Sequence, residues 1–257
     1  MRLNELYDEL YENGTWGEKQ DEQDTILSMS KWDGLEVLEI GCGEGKLAIE
    51  IAERNANVDA IDISAVAIRN AISNRTHKNS DHTVQFSNLH YINMDRKYDV
   101  VVMQGVLEHF DSPFIDLRYI MNTLLKKGGY VITSSPNFLN PRGYVWMTLQ
   151  YLLDVEMSLA DKHFLAPWDF QDFCKDYGYG LIMKTCDQNW GSGDKATIDY
   201  RRRFKSGLFK SKISVTDEGI ERFLSWFRVA NQSFTQSDKT GANMVYKIIR
   251  GENENHS

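Results

Sequence analysis

Val37–Ala48 reads VLEIGCGEGKLA, an apolar run followed by glycines at three alternate positions, Gly41, Gly43 and Gly45. A short β-branched run, a glycine-rich turn and the helical pattern GKLAIEIAERN place backbone at the carboxyl edge of a sheet, where open α/β folds bind ligands. The spacing separates two kinds of ligand. A dinucleotide fingerprint GxGxxG starting at Gly41 requires glycine at position 46, which is Lys46, and the turn is preceded by the acid Glu39. A carboxylate there repels a pyrophosphate and favours a cation.

Outward from this stretch, short strand-like runs alternate with longer helical patterns, the signature of a parallel sheet with crossover helices. The strands are expected at Glu36–Ile40, Asn57–Ile63, Thr83–Ser87, Tyr98–Gln104 and Gly129–Ser135, and two more in GYGLIMKTCDQ and ANMVYKIIRG. Between them SAVAIRNAISNR, with Ser64 as N-cap, and PFIDLRYIMNTLLKKGG, ending in Lys-Lys-Gly-Gly, read as helices. Beyond Pro136 the pattern changes to a long apolar helical stretch, Gly143–Ala160, and a shorter helix from Pro167 to Gly178. The chain divides into an N-terminal helical lead (1–30), one α/β domain (31–250) with helical insertions at about 138–166 and 189–240, and a tail (251–257) expected to be disordered.

With 29 basic and 37 acidic side chains the net charge is −8, which argues against chain-wide attraction to nucleic acid or an anionic membrane. Cys42, Cys174 and Cys186 are far apart and form neither a disulfide framework nor a zinc ligand set, so no metal is expected and a reducing cytoplasm is the simplest location. The acidic N-terminus MRLNELYDELYENG is unlike a signal peptide, and no apolar run is long enough to span a membrane.

Glu-Ile-Gly-Cys-Gly-Glu-Gly, Glu39 to Gly45, resembles motif I of the class I S-adenosylmethionine-dependent methyltransferases, and the resemblance runs from Val37 to Ser135 and more loosely to the C-terminal strands. It implies a Rossmann-like three-layer sandwich: a mostly parallel seven-stranded sheet with an antiparallel C-terminal strand and a helical insertion after strand five. It implies S-adenosylmethionine as cofactor and S-adenosylhomocysteine as product, with Glu39, Gly41, Cys42, Gly43 and Gly45 passing under the methionine part. Cys42 also suits a small filler under the turn. Asp62, 21 positions after Gly41 and followed by Ile63, is placed to accept both ribose hydroxyls. The family's adenine-binding acid after strand three is replaced by Asn88, followed by Leu89; an amide oxygen can accept from the adenine amino group. QGVLEHF resembles the segment after strand four, so Gln104 and Gly105 are expected at the methionine end.

For the methyl acceptor, a base is needed only when a proton must leave, as from an alcohol or phenol. His163, in DKHFLAPWDF, resembles a histidine that many small-molecule members place at the substrate opening; His109, beside Glu108, lies just past strand four. The alternative for either histidine is a surface or packing residue. Tyr144, Trp146 and Tyr151, with Met147 and Gln150, are candidates for the inner face of a substrate-covering insertion, the alternatives being a plain core helix or a homodimer contact. Tyr7, Tyr11 and Trp16 of the N-terminal lead are candidates to close over the cofactor. The basic run Arg201, Arg202, Arg203, Lys205, Lys210 and Lys212 reads as a solvated face or as a holder of a phosphate- or carboxylate-bearing substrate.

The expected function is methyl transfer to a small-molecule or glycan-linked acceptor, at oxygen first and nitrogen next, with nucleic acid disfavoured by the absence of a recognition module. A catalytically inactive S-adenosylmethionine-binding scaffold is the competing reading. A nicotinamide-dependent oxidoreductase is disfavoured by Glu39 and Lys46.

Overall fold

The computed structural model describes residues 5, 7, 8, 11, 20–77, 84–155 and 161–251. Trp16, Thr83 and the tail beyond Gly251 therefore lie outside the described residues. Seven strands form one sheet: β1 Glu36–Ile40, β2 Asn57–Asp62, β3 Val84–Asn88, β4 Tyr98–Gln104, β5 Leu125–Pro136, β6 Gly180–Cys186 and β7 Asn243–Ile249. Their order is β3-β2-β1-β4-β5-β7-β6. All neighbours pair in parallel except β7, which runs antiparallel to both β5 and β6.

Side-chain alternation sorts the core into two faces. Val37, Val100, Val102, Ile132 and Val245 face α1 (Gln20–Ser28), α2 (Lys46–Ala52) and α3 (Ala65–His77) through Ile26, Leu27, Leu47, Ile51 and Ile68. Leu38, Val101, Met103, Val131 and Tyr246 face α4 (Pro113–Thr123) and α6 (Pro167–Tyr177) through Leu117, Ile120, Phe170 and Phe173. The remaining helices, α5 (Pro141–Leu153), α7 (Gln188–Gly191), α8 (Asp194–Lys210) and α9 (Asp217–Asn231), belong to the segments outside the alternating pattern. A third cluster, built on Trp146, Tyr200, Phe204, Leu224 and Phe227, joins α5, α8 and α9.

Three boundaries differ from expectation for local reasons. The helix expected to run into Lys-Lys-Gly-Gly stops at Thr123, because Leu125 is fully buried and pairs with Tyr98 as the start of β5. Lys126 then turns to Asp99, its ammonium 2.9 Å from that carboxylate, instead of capping a helix. β3 ends one residue later than read, so that Asn88 pairs with Asp62. The long helix after β5 ends at Leu153, where Asp154 turns left-handed at φ 50°; 156–160 lie outside the described residues.

Candidate active site

Gly41, Gly43 and Gly45 all have positive φ, at 71°, 53° and 76°. A non-glycine residue pays about 1–2 kcal/mol for each such conformation, which explains the alternate spacing. The turn is pinned by the N–H groups of Gly41 and Cys42, both donating to the Ile61 carbonyl at 2.8 and 3.0 Å. A Cβ on Gly43 would stand 2.6 Å from the Tyr11 hydroxyl, and one on Gly45 would stand 2.6 Å from the Phe86 ring and 2.9 Å from Ala71.

Above this turn lies a cavity of about 1160 Å³, lined among others by Glu39, Gly41, Cys42, Gly43, Asp62, Ile63, Asn88, Leu89, Gln104 and Gly105. Gly45 is not on its wall; that glycine admits α2 close to β3 and α3. Asp62 is held by the turn it faces: Oδ2 accepts from the Gly43 N–H at 2.9 Å and Oδ1 from the Ser64 N–H at 2.8 Å. Burial raises its pKa, and these two N–H groups pull it partly back. Asn88 donates its amide N–H to the Asp62 carbonyl at 2.9 Å, which turns its amide oxygen the other way. Glu39 is 2% exposed and its Oε2 has no hydrogen-bond partner. Burial, and then the charge of Asp62, push its carboxyl up to about 8.

The cavity wall around Gln104 has a part that no motif announced. The Gln104 amide donates to Glu22 at 3.0 Å and accepts from Gln23 at 3.3 Å, so α1 fixes its orientation, and Gln20 and Gln23 line the cavity themselves. From the N-terminal lead, Tyr7 and Tyr11 reach the wall, and Asp8 accepts from Ser64 and from the Val66 N–H at the start of α3.

The two histidines separate. His109, 12% exposed, lines the cavity with Nδ1 3.5 Å from Asp161 and Tyr7 edge-on at 5.8 Å. His163 does not line it; its backbone N–H, with that of Lys162, donates to the Glu108 carbonyl at 3.1 and 3.0 Å. This clamp carries Asp161 to His109 and Lys162 to Asp111 across the rim. Glu108, His109 and Asp161 also bring one potential ligand atom each within 4.8 Å of one another, a grouping from distant parts of the chain that the sequence reading did not foresee. Tyr144 and Tyr151 are exposed, and none of Tyr144, Trp146 and Tyr151 reaches the cavity. Trp146 is buried in the third cluster and donates its indole N–H to Asp199 at 3.3 Å.

A buried carboxylate oxygen without a partner on β1, a second carboxylate at the end of the adjacent strand β2 and a turn whose three glycines tolerate no side chain suit a nucleoside with a cationic tail. A family profile described as a methyltransferase domain matches residues 16–180. The chain belongs to this methyltransferase family. Among curated relatives, the ubiquinone biosynthesis O-methyltransferase of Nitrosospira multiformis is 30% identical over 185 residues, 67% of this chain and 77% of that one. The protein of that name from Leptothrix cholodnii is 27% identical, over 60% of this chain and 68% of its own length. Among solved structures, magnesium protoporphyrin IX methyltransferase from Synechocystis with bound S-adenosylhomocysteine superposes with a TM-score of 0.55 at 14% identity, covering 89% of this chain and 83% of that one. A cyclopropane synthase from Mycobacterium tuberculosis gives 0.58 at 14% identity, covering 89% and 83%. These structural likenesses are of fold. The enzyme is an S-adenosylmethionine-dependent methyltransferase, and no described helix is long and apolar enough to cross a membrane.

Proposed function

We propose that this methyltransferase acts on an oxygen of a small-molecule acceptor, which includes a glycan-linked one, with His109 taking the proton that the oxygen loses. The observation that carries this reading is His109 on the cavity wall with its Nδ1 3.5 Å from the Asp161 carboxylate. The names of the relatives, O-methyltransferases of ubiquinone biosynthesis, support oxygen as the target atom. Three buried free thiols, Cys42, Cys174 and Cys186, suit a cytoplasmic location.

S-adenosylmethionine supplies, when bound, a methyl group on a positively charged sulfonium. The residues on the wall divide its recognition. Asp62 accepts the ribose hydroxyls, Asn88 offers its amide oxygen to the adenine amino group, and Glu39 meets the ammonium of the methionine tail with its unpartnered oxygen. Gln104, oriented by Glu22 and Gln23, closes that end. Displacement at carbon needs alignment above all, because a fixed geometry replaces a bimolecular encounter. His109 Nε2 receives the acceptor proton, and Asp161 stabilises the imidazolium and holds the ring.

The test is S-adenosylhomocysteine release with a small-molecule extract, followed against pH. His109→Ala is expected to lower turnover by about 10²- to 10⁴-fold with S-adenosylhomocysteine affinity unchanged, while His163→Ala retains turnover. Full turnover by His109→Ala would remove it as the base.

A further inference from the structure

Glu22, Gln104 and Gln23 form a chain of hydrogen bonds with a fixed direction. Glu22 and Gln23 are consecutive near the start of α1, 2% and 8% exposed, and Gln104 is the last residue of β4. The Gln104 amide N–H donates to Glu22 Oε2 at 3.0 Å, and Gln104 Oε1 accepts from the Gln23 amide N–H at 3.3 Å. Gln23 and Gln104 line the cavity, whereas Glu22 stands behind them.

The direction follows from the first member. A glutamine amide has nearly the same shape turned end for end, so its neighbours decide which end is donor and which acceptor. An ionised carboxylate only accepts. Glu22 therefore draws the nitrogen of Gln104, which turns the Gln104 oxygen to Gln23, and that oxygen in turn draws the nitrogen of Gln23. The Gln23 oxygen is the acceptor left over, and among the described residues no group donates to it. Glu39 belongs to the same part of the wall: it pairs with Val102 of β4, two residues before Gln104. An ammonium offers three donors, more than the unpartnered Glu39 oxygen alone can take.

We propose that Gln23 is a specificity-determining residue for the cofactor, its oxygen accepting a hydrogen bond from the ammonium of the methionine tail. Glu22 is the positioning residue that turns this oxygen to the cavity by way of Gln104. An acceptor at this place also disfavours the tail's carboxylate, so the relay sets which way round the amino-acid group lies. The assignment rests on the placement of the methionine tail beside Glu39 given above.

The experiment titrates the full chain with S-adenosylhomocysteine and, separately, with 5′-methylthioadenosine, which has the nucleoside and the sulfur but no amino-acid group. Gln23→Leu is expected to weaken S-adenosylhomocysteine about tenfold, the loss of one hydrogen bond to a charged group, and to leave 5′-methylthioadenosine unchanged. Glu22→Gln, which frees Gln104 to turn either way, is expected to weaken S-adenosylhomocysteine severalfold, again without effect on the other ligand. Combining Glu22→Gln with Gln23→Glu reverses the chain yet still presents an acceptor to the cavity, and is expected to restore affinity. Equal weakening of both ligands by Gln23→Leu, which would mark a packing role for α1, overturns the proposal, as does unchanged affinity for S-adenosylhomocysteine. A double variant no tighter than Glu22→Gln overturns the positioning role. A wild type that binds neither ligand would instead strike the placement of the cofactor. The relay is then read without ligand, from exchange of the Gln23 and Gln104 side-chain amide protons: Glu22→Gln is expected to speed it severalfold, and unchanged exchange overturns the role of Glu22.

Discussion

Glu39 is a buried acid whose carboxyl is pushed up to about 8, by burial first and by Asp62 second. Its pKa rises on folding from an ordinary value of 4.5. The stability it contributes is therefore present below pH 4.5 and declines as pH rises through about 8. A cationic ligand reverses this preference, so binding expels a proton. Affinity for S-adenosylmethionine is expected to rise about tenfold per pH unit below that pKa and to level off above it. Calorimetry in buffers of different ionisation enthalpy measures the released proton, and Glu39→Gln should abolish the release. Asp62→Asn keeps the size of the side chain but removes the charge and replaces one of the two oxygens that accept from Gly43 and Ser64 with a donor; affinity should fall at least tenfold, since a charged hydrogen bond is worth about 1.5–3 kcal/mol. Both acids were legible in the sequence because each sits at a strand end beside its own turn. The choice between His109 and His163 was not, because it depends on the Glu108 carbonyl receiving the strap at Lys162 and His163, a contact no local pattern encodes.

Among elements, the glycine turn shows two constraints in one motif. Gly45→Ala should lower the melting temperature by several degrees, combining about 1–2 kcal/mol of left-handed strain with about 1–3 kcal/mol of overpacking against Phe86 and Ala71. Gly43→Ala meets instead the movable hydroxyl end of Tyr11, so its larger effect should be on cofactor affinity. Thermal melts with and without S-adenosylhomocysteine separate the two. β1 and β4 were readable to the residue, since helices cover both faces and the apolar runs are continuous. The start of β5 was hidden because Leu125-Lys126-Lys127-Gly128 carries the chemistry of a helix end while its neighbour Tyr98 recruits it into the sheet. α5 misled in another way. Its aromatics suggest a substrate face, yet Trp146 turns to Tyr200 and Phe204 at ring separations of 5.8 and 5.4 Å.

Across the molecule, stability divides between the sheet with its two covered faces and the separate cluster of α5, α8 and α9. No residue of that cluster belongs to a strand, so hydrogen exchange should show α8 and α9 opening ahead of β1, β4 and β5. Uniform protection would contradict this division. Trp146→Ala, at a cost of about 3–5 kcal/mol, should expose α8 and α9 further while S-adenosylhomocysteine still binds. The fold class was legible from the alternation of Val37 to Ile132, whereas the placement of the second half was not, because its helices pack on one another instead of following the sheet's repeat. The proposed cofactor site spans β1, β2, β3, β4 and α1, and calorimetric titration of S-adenosylhomocysteine into the wild type and Asp62→Asn tests it most directly. A single site in the wild type, weakened at least tenfold in the variant, is the expected result; no binding to the wild type, or equal affinity in the two, would contradict the account.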